Sequence, residues 1–298
     1  MVYHIPALLK ESIDGLNIQP GGIYVDVTFG GGGHSMEILK RLKGGRLVAF
    51  DQDEDARANV PDDERFMFLN QNFRFLKNNL RFIGITSVDG LLADLGVSFH
   101  QFDEPSRGFT FRQDAMLDMR MNKSGKTTAA QLLNSLGETE LSDIFYRYGE
   151  LHNSRRIARE IVASRTVRPV EKVSDITGIL NRLAPARQEH KFYARVFQAL
   201  RIAVNHEMDY LKEMLEQSLE MLKSGGRLVV ITYHSLEDRM VKNFMRTGNF
   251  EGEEDKDFYG NVKTPFRVIS RKSITPGESE IAENNRARSA RLRIAEKI

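Results

Sequence analysis

The chain has 298 residues, of which 41% are hydrophobic and 28% are charged, and its formal net charge at pH 7 is +2. This composition argues against disorder, and the absence of cysteine excludes disulfides, thiolate metal sites, iron–sulfur clusters and cysteine nucleophiles. No apolar run approaches the roughly 18 residues of a membrane span, and the first residues lack the pattern of a signal peptide, so we expect a cytoplasmic protein with no membrane partner.

Short apolar and β-branched runs recur in the first third of the chain, at IYVDV (23–27), RLVAF (46–50), RFMFL (65–69) and VDGLLADLG (88–96). Polar or helix-like segments separate these runs. The alternation predicts βαβ units, and therefore an α/β fold with a doubly wound, mostly parallel sheet. The next comparable strand, GGRLVVITYHS (225–235), starts so late that the gap before it must hold an inserted domain.

The segment 104–204 is predicted to be that helical insertion, because its apolar residues recur three or four positions apart and β-branched runs are few. The parts 1–103 and 205–298 then form one discontinuous sheet domain. A long helix through MDYLKEMLEQSLEML (208–222) returns the chain to the sheet. PFRVISRK (265–272) and ARLRIAEKI (290–298) are expected to form a closing strand pair, separated by a turn-rich segment (273–287).

A glycine-rich turn lies between the first strand and the following helix, in DVTFGGGGHS (26–35). Such a turn lets backbone N–H groups face a ligand at a helix N-terminus. Neither the dinucleotide fingerprint G-x-G-x-x-G nor the P-loop pattern fits, whereas Asp51 ends the second strand, where an acid can accept both hydroxyls of a ribose. The combination suits S-adenosylmethionine. The competing interpretation is a tight turn with an unrelated surface aspartate.

Two further strand ends favour that cofactor. Phe73 follows the third strand and could pack on adenine, with Gln71 or Asn72 bonding its edge, and Asp94 follows the fourth strand. Ligands of open α/β sheets bind beyond the carboxyl ends of the strands, where all these residues are expected. The sequence lacks a complete calcium loop, a G-x-S-x-G elbow and an H-E-x-x-H pair, so we predict neither a hydrolase nor an essential metal.

Motifs along nearly the whole chain resemble those of the bacterial cytidine N4-methyltransferases of small-subunit ribosomal RNA. They are HIPALLKESIDGL, DVTFGGGGHS, DLGVS, RGFTF, LDMRM, YGE, RIAREIV, FQALRIAVNHE, GGRLVVITYHSLEDR and ITPGESEIAENNRARSARLR. The resemblance implies a class I S-adenosylmethionine-dependent methyltransferase fold with a helical insertion for substrate recognition. It also implies methylation of the exocyclic amine of one cytidine in the decoding region.

The family's cofactor contacts, carried onto this sequence, fall on Gly32, Gly33, His34, Asp51, Phe73, Asp94 and Gln101. Two stretches depart from the family pattern. SFHQFDEPSRGF, around His100, replaces a segment with Ser-Pro before the glutamine, and RQDAMLDMRMN, around Ala115, replaces one with Gly-Pro before Leu117. These departures leave the loop shape near the target base open.

Methyl transfer from a sulfonium requires alignment and exclusion of water more than strong acid or base catalysis. An acceptor that draws one N–H proton of the cytosine amine should raise its nucleophilicity, and Asp94 and Ser98 occupy the expected place after the fourth strand. Methylation at C5 usually needs a cysteine adduct, which this chain cannot form. The further candidates for holding the base are Asn205, His234, Ser235 and Asp238; for each, the alternative is a satisfied polar group that orients a loop.

Positive charge is concentrated in the insertion, where residues 147–201 hold 12 Lys/Arg against 5 Asp/Glu. The candidate RNA-binding residues are Arg155, Arg156, Arg159 and Arg195, and the alternative is a solvated basic face. The expected partner is small-subunit rRNA within an assembled or nearly assembled subunit, and a homodimer is possible. The rival functions are a transferase acting on DNA, protein or a small amine, and a non-catalytic RNA-binding assembly factor.

Overall fold

A computed structural model describes residues 6–260 and 263–298, with the side chains at positions 99 and 100 excepted. The first two residues of the motif HIPALLKESIDGL lie outside this part of the chain. Contacts divide the protein into two compact units: the sheet unit, Met1–Gly96 with Met208–Ile298, and the helical unit, Val97–Glu207. The sequence placed the limits of the insertion at 104 and 204, a few residues inside those of the helical unit.

The sheet unit is built on seven strands in the order β3-β2-β1-β4-β5-β7-β6. Of the strands described, β7 alone runs in the direction opposite to the other six. The five predicted parallel strands and the closing pair are confirmed. Their bounds are β1 Ile23–Asp26, β2 Arg46–Phe50, β3 Phe66–Leu69, β4 Val88–Asp94, β5 Leu222–Thr232, β6 Phe266–Val268 and β7 Arg291–Lys297.

Twelve α-helices are found among the described residues, and the helices predicted inside the insertion are confirmed. Their bounds are α1 Leu9–Leu16, α2 Gly33–Arg41, α3 Leu76–Phe82, α4 Phe99–Asp103, α5 Ala129–Ser135, α6 Glu138–Gly149, α7 Ser154–Arg165, α8 Val173–Asn181, α9 Glu189–Asn205, α10 Glu207–Met221, α11 Ser235–Thr247 and α12 Glu278–Glu283. Short 3-10 helices cover Glu54–Asn59, Phe73–Phe75, Pro105–Arg107 and Asn285–Ser289.

Both faces of the sheet are covered, because successive side chains of each strand point to opposite sides. On β5, Val229 and Ile231 pack with α1 and α2, whereas Leu228 and Val230 pack with α3, α10 and α11. Each of these four side chains is fully buried, and burial of one such side chain contributes about 1.5–3 kcal/mol. The two apolar layers leave the carboxyl ends of the parallel strands as the edge on which polar groups can gather.

The helical unit has its own apolar core, in which α6 packs against α7 and α9. Arg107 and Asn205 hold the loop that carries the LDMRM motif. The buried Arg107 guanidinium donates to the carbonyls of Arg120 and Met121, each at 2.9 Å. The motifs RGFTF, LDMRM and NHE therefore meet inside this unit.

The segment 273–287 was expected to be turn-rich but also forms α12 and most of a 3-10 helix. Pro276 and Gly277 precede the helix, and the run GESEIAEN after Pro276 is short enough for turn residues to dominate its appearance. Among the described residues, no helix combines the length and apolarity that crossing a bilayer requires.

Candidate active site

The four glycines of the turn between β1 and α2 are required or tolerated for different physical reasons. Gly30 and Gly32 have φ of 51° and 77°, in the left-handed region that favours glycine. A Cβ on Gly33 would lie 2.2 Å from Cγ of Pro6, whereas one on Gly31 would meet no atom within 4 Å. Backbone conformation and packing thus account for three glycines, and the fourth faces open space that a ligand can approach.

Asp51 ties this turn to the end of β2. One carboxylate oxygen accepts the Gly30 N–H at 2.7 Å, and the other accepts the Asp53 N–H at 2.8 Å. Burial raises the pKa of Asp51 to about 6, against the effect of these two hydrogen bonds. The side chain therefore fixes the glycine turn while it presents its remaining lone pairs at the carboxyl edge of the sheet.

Asp26, the last residue of β1, is a buried carboxylate beneath the same turn. It accepts hydrogen bonds from the Ser35 hydroxyl at 2.7 Å and from the Thr28 N–H at 3.0 Å. Burial raises its pKa, and these hydrogen bonds oppose the rise. Asp26 in turn raises the pKa of Asp51 and of Asp94 through charge repulsion.

Asp94 ends β4 and is held by two side chains from other strand ends. The Tyr233 hydroxyl donates to Oδ1 at 2.8 Å, and the backbone N–H of Asp94 donates to the Thr28 hydroxyl at 2.6 Å. Burial raises the pKa of Asp94 to about 7, and repulsion from Asp26 and Glu237 adds to this shift. The side chain keeps 22% exposure, so a ligand can reach it.

His34 lies next to Asp94 in the first turn of α2. Its Nδ1 is 3.7 Å from Oδ2 of Asp94, which is too long for a hydrogen bond. Burial lowers the pKa of His34 to about 4, so the imidazole is neutral at pH 7. The carboxylates at the ends of β1, β2 and β4 consequently have no cation to balance them at this edge among the described contacts. Such a site favours a positively charged ligand.

Phe73 follows β3 as the first residue of a 3-10 helix and packs partly against the sheet core. Asn72 caps this short helix: its Oδ1 accepts the Arg74 N–H at 2.9 Å, and its amide donates to Gln52 at 2.6 Å. The Asn72 side chain is therefore engaged within the protein, whereas Gln71 is exposed.

The residues after β5 form a capped helix start. His234 is the N-cap of α11; its Nδ1 accepts the Glu237 N–H at 3.4 Å, and the Glu237 carboxylate accepts the Tyr233 N–H at 2.9 Å. Ser235 is exposed, whereas Asp238 forms a buried two-pronged ion pair with Arg293 at 2.7 and 3.0 Å. These contacts give His234 and Asp238 local structural roles.

The other predicted residues belong to the helical unit. Ser98 and Gln101 bond reciprocally across the start of α4, the Ser98 N–H to Gln101 Oε1 at 3.1 Å and the Gln101 N–H to Ser98 Oγ at 3.2 Å. Asn205 is buried, accepts the Met121 N–H at 2.7 Å and donates to the carbonyls of Met119 and Arg201 at 2.7 and 2.9 Å. The geometry favours the loop-orienting interpretation of Asn205.

The four candidate RNA-binding arginines lie on α7 and α9. Arg155, Arg156 and Arg159 are exposed, and Arg195 is half-buried. None of the four pairs with a carboxylate in the part of the chain that the structure describes. Their charges are therefore available to an anionic partner.

The structure thus gathers the predicted cofactor residues of the sheet unit at one edge, with Asp51 touching the glycine turn and His34 beside Asp94. Tyr233, Thr28 and Ser35 were missed, although each positions a carboxylate. All three stand within motifs that carry the family resemblance, and Tyr233 directly follows the last residue of β5. The position of Tyr233 directly after a strand was the sequence feature that could have identified it as a site residue.

The sheet order, the single antiparallel strand β7 and the glycine turn after β1 define a class I S-adenosylmethionine-dependent methyltransferase. The chain belongs to the MraW methylase family, whose sequence model matches residues 1–298. Membership of a methylase family with this fold makes S-adenosylmethionine the cofactor. The unbalanced carboxylates at the edge fit its sulfonium and ammonium charges.

Curated relatives align along almost the full chain. The ribosomal RNA small subunit methyltransferase H of Bacteroides fragilis (strain YCH46) is 59% identical over 296 residues, covering 99% of this chain and 97% of the relative. The protein of the same name from Flavobacterium johnsoniae is 57% identical over 299 residues, covering 100% and 99%. A solved rRNA methylase from Streptococcus thermophilus shares 13% identity with a TM-score of 0.45 over 99% of this chain and 98% of its own, and is too distant to bear on function.

Proposed function

We propose that this protein methylates the exocyclic N4 amine of one cytidine in the decoding region of small-subunit rRNA, in the cytoplasm. The relatives named above are small-subunit rRNA methyltransferases and align over nearly all of this chain. The single observation that carries the proposal is a set of three carboxylates beside the glycine turn: the buried Asp26 at the end of β1, and the partly exposed Asp51 and Asp94 at the ends of β2 and β4. The absence of cysteine leaves nitrogen or oxygen acceptors.

The residues that would hold the cofactor are the Gly32–Gly33 turn, Asp51 for the ribose, Phe73 for the adenine and Asp94 for a cationic group. The neutral side chain of His34 would line the same site. Gln101 belongs to the same proposed set. When bound, S-adenosylmethionine supplies an electrophilic methyl group on a sulfonium. The protein's own contribution is a set of positioned carboxylates, because Ser35 and Thr28 donate hydrogen bonds to Asp26 and Tyr233 donates one to Asp94.

Asp94 is proposed to accept one N–H of the target amine through Oδ2. Its Oδ1 is occupied by the Tyr233 hydroxyl, and Oδ2 accepts no hydrogen bond from any described residue. With a pKa of about 7, the ionised side chain would draw an amine proton toward itself and receive it as the N–C bond forms and the bond between the methyl carbon and the sulfonium sulfur breaks. Ser98, His234 and Ser235 are proposed to position the base, with Asn205 and Asp238 acting through the loops they hold.

The helical unit is proposed to bind the RNA backbone through Arg155, Arg156, Arg159 and Arg195. A cytidine inside folded RNA must be unstacked or lie in a single-stranded loop before its amine can react. Exposed arginines without carboxylate partners can hold the flanking phosphates in that state. Charge reversal at Arg155 and Arg156 should weaken RNA binding and reduce its salt dependence.

The test is incubation with methyl-labelled S-adenosylmethionine and small ribosomal subunits that lack the modification, followed by digestion and mass spectrometry of the nucleosides. We expect label in N4-methylcytidine. Free rRNA and mature subunits serve as parallel substrates, and they decide whether the assembled particle is required.

Label in a different nucleoside would contradict the target atom but not the reaction class. No transfer to RNA, with the cofactor still bound, would contradict the proposal. It would favour another methyl acceptor or a non-catalytic RNA-binding factor.

A further inference from the structure

A basic cavity of roughly 540 Å³ lies in the sheet unit, and the base-holding candidates His234, Ser235 and Asp238 are among the residues that line it. Helix α11 contributes one stripe of side chains at intervals of three or four residues. The junction of the last 3-10 helix with β7 contributes the opposite wall. The charged and hydroxyl side chains that matter here are Ser235, Asp238, Arg239, Lys242, Arg288 and Arg291.

Topology explains why this cavity forms at the active edge of the sheet. Strand β7 runs antiparallel to β5, with Arg291 opposite Thr232, so the beginning of β7 lies where β5 ends. Helix α11 starts three residues after that same strand end. Two basic segments that are far apart in sequence therefore face each other at the carboxyl edge.

Positive charge dominates the cavity. Four of its side chains are cationic, and its one lining acid, Asp238, forms a buried two-pronged pair with Arg293 and also lies 3.5 Å from the Arg291 guanidinium. The cations therefore outnumber the lining acid. Lys242 and Arg288 are exposed and form no ion pair among the described residues. Several cationic side chains that line one cavity raise its positive potential, so the arrangement favours an anion.

One side chain separates this cavity from the candidate methyl-transfer site. Tyr233 lines the cavity, and its hydroxyl donates to Asp94 at 2.8 Å. A group held in the cavity would therefore be fixed close to Asp94. The chemistry of the cavity is that of a phosphate site, with guanidinium forks, an ammonium and hydroxyls.

We propose that this cavity binds a backbone phosphate of the substrate RNA next to the target nucleotide. The inference rests on the proposed function and adds to it a binding site on the catalytic unit, separate from the arginines of α7 and α9. A phosphate fixed here would limit the rotation of the flipped nucleotide and direct its base toward Asp94.

The experiment compares wild type with the double variant Lys242→Gln/Arg288→Gln, which removes two exposed charges. The matched control is Lys43→Gln/Arg46→Gln, which removes the same charge at exposed positions just before β2 and at its first residue, on the opposite edge of the sheet. Binding of small subunits is measured at several salt concentrations, together with cofactor affinity and single-turnover methyl transfer.

We expect the cavity variant to bind subunits roughly tenfold more weakly at physiological salt. We also expect it to lose about 0.7 from the slope of log affinity against log salt, because one neutralised phosphate of a single strand contributes about 0.7 to that slope. Cofactor affinity should stay within twofold. The control variant should match wild type in all three measurements.

Equal losses in the two variants, or none in the cavity variant, would overturn the proposal while the methylation function stands. If wild type transfers no methyl group to RNA, the proposed function fails, and the binding comparison still decides on the cavity. Titration with inorganic phosphate at constant ionic strength distinguishes a site for free phosphate from a site for the RNA backbone. If the cavity variant lost phosphate binding but kept the wild-type affinity for subunits, the proposal would also be overturned.

Discussion

Substitution of Tyr233 by phenylalanine tests how the carboxylate of Asp94 is tuned. The substitution removes the 2.8 Å hydrogen bond to Oδ1 and nothing else of the ring. Hydrogen bonds to charged groups contribute about 1.5–3 kcal/mol, and one pKa unit corresponds to about 1.4 kcal/mol, so the pKa of Asp94 should rise by one to two units, from about 7 to at least about 8. The ionised fraction at pH 7.5 would fall from roughly three quarters to one quarter or less.

The assay is the pH profile of kcat/KM for the cofactor, because this parameter reports groups of the free enzyme. We expect the acid limb of Tyr233→Phe to move upward by at least about one unit, with a loss of about threefold or more at pH 7.5 and near-recovery at high pH. The control is Tyr24→Phe, a buried tyrosine of β1 whose hydroxyl accepts the Gln19 N–H at 2.7 Å, away from Asp94. An unshifted acid limb in Tyr233→Phe, or the same shift in the control, would refute the reasoning.

Three further predictions follow from the same contacts. Asp51→Asn should weaken cofactor binding by an order of magnitude or more in a calorimetric titration, because it removes a charge and disturbs the Gly30 bond, and an unchanged Kd would exclude a ribose role. Asn205→Leu should lower the free energy of unfolding by about 2–4 kcal/mol in urea, because it strands buried backbone groups; full stability with lost turnover would instead indicate a direct catalytic role. Burial raises the pKa of Asp94 to about 7 in the folded, cofactor-free protein, so protonation of Asp94 stabilises the folded state. As the pH rises from about 4 to 7, the free energy of unfolding should therefore fall in wild type relative to Asp94→Asn. Parallel profiles of unfolding free energy against pH in the two proteins would contradict this.

The sequence was sufficient to predict the sheet and the edge at which its strand-end carboxylates lie together. Strand periodicity identified β1 to β5, and the glycine turn with Asp51 and Asp94 identified the carboxyl edge. These signals are local: each depends on residues close together in the chain and on the rule that parallel strands end at one edge.

Contacts between distant segments could not be predicted. Tyr233 is 139 residues from Asp94, and Arg293 is 55 residues from Asp238, so neither pair is visible without the strand order. For the same reason, Asp238 could be assigned to holding the base: the sequence shows an aspartate within a motif but does not show whether its partner is a ligand or a buried arginine. The basic cavity also depends on the antiparallel return of β7.

The central claim is that the carboxylates of Asp26, Asp51 and Asp94 form the cation-binding edge for methyl transfer. The most direct test is the affinity ratio of S-adenosylmethionine to S-adenosylhomocysteine, measured by calorimetry from pH 5.5 to 8.5, since the two ligands differ by the methyl group and its sulfonium charge. As Asp94 ionises around pH 7, the ratio should rise on the order of tenfold in favour of S-adenosylmethionine. A ratio that is constant over this range, or that falls as the pH rises, would contradict the claim.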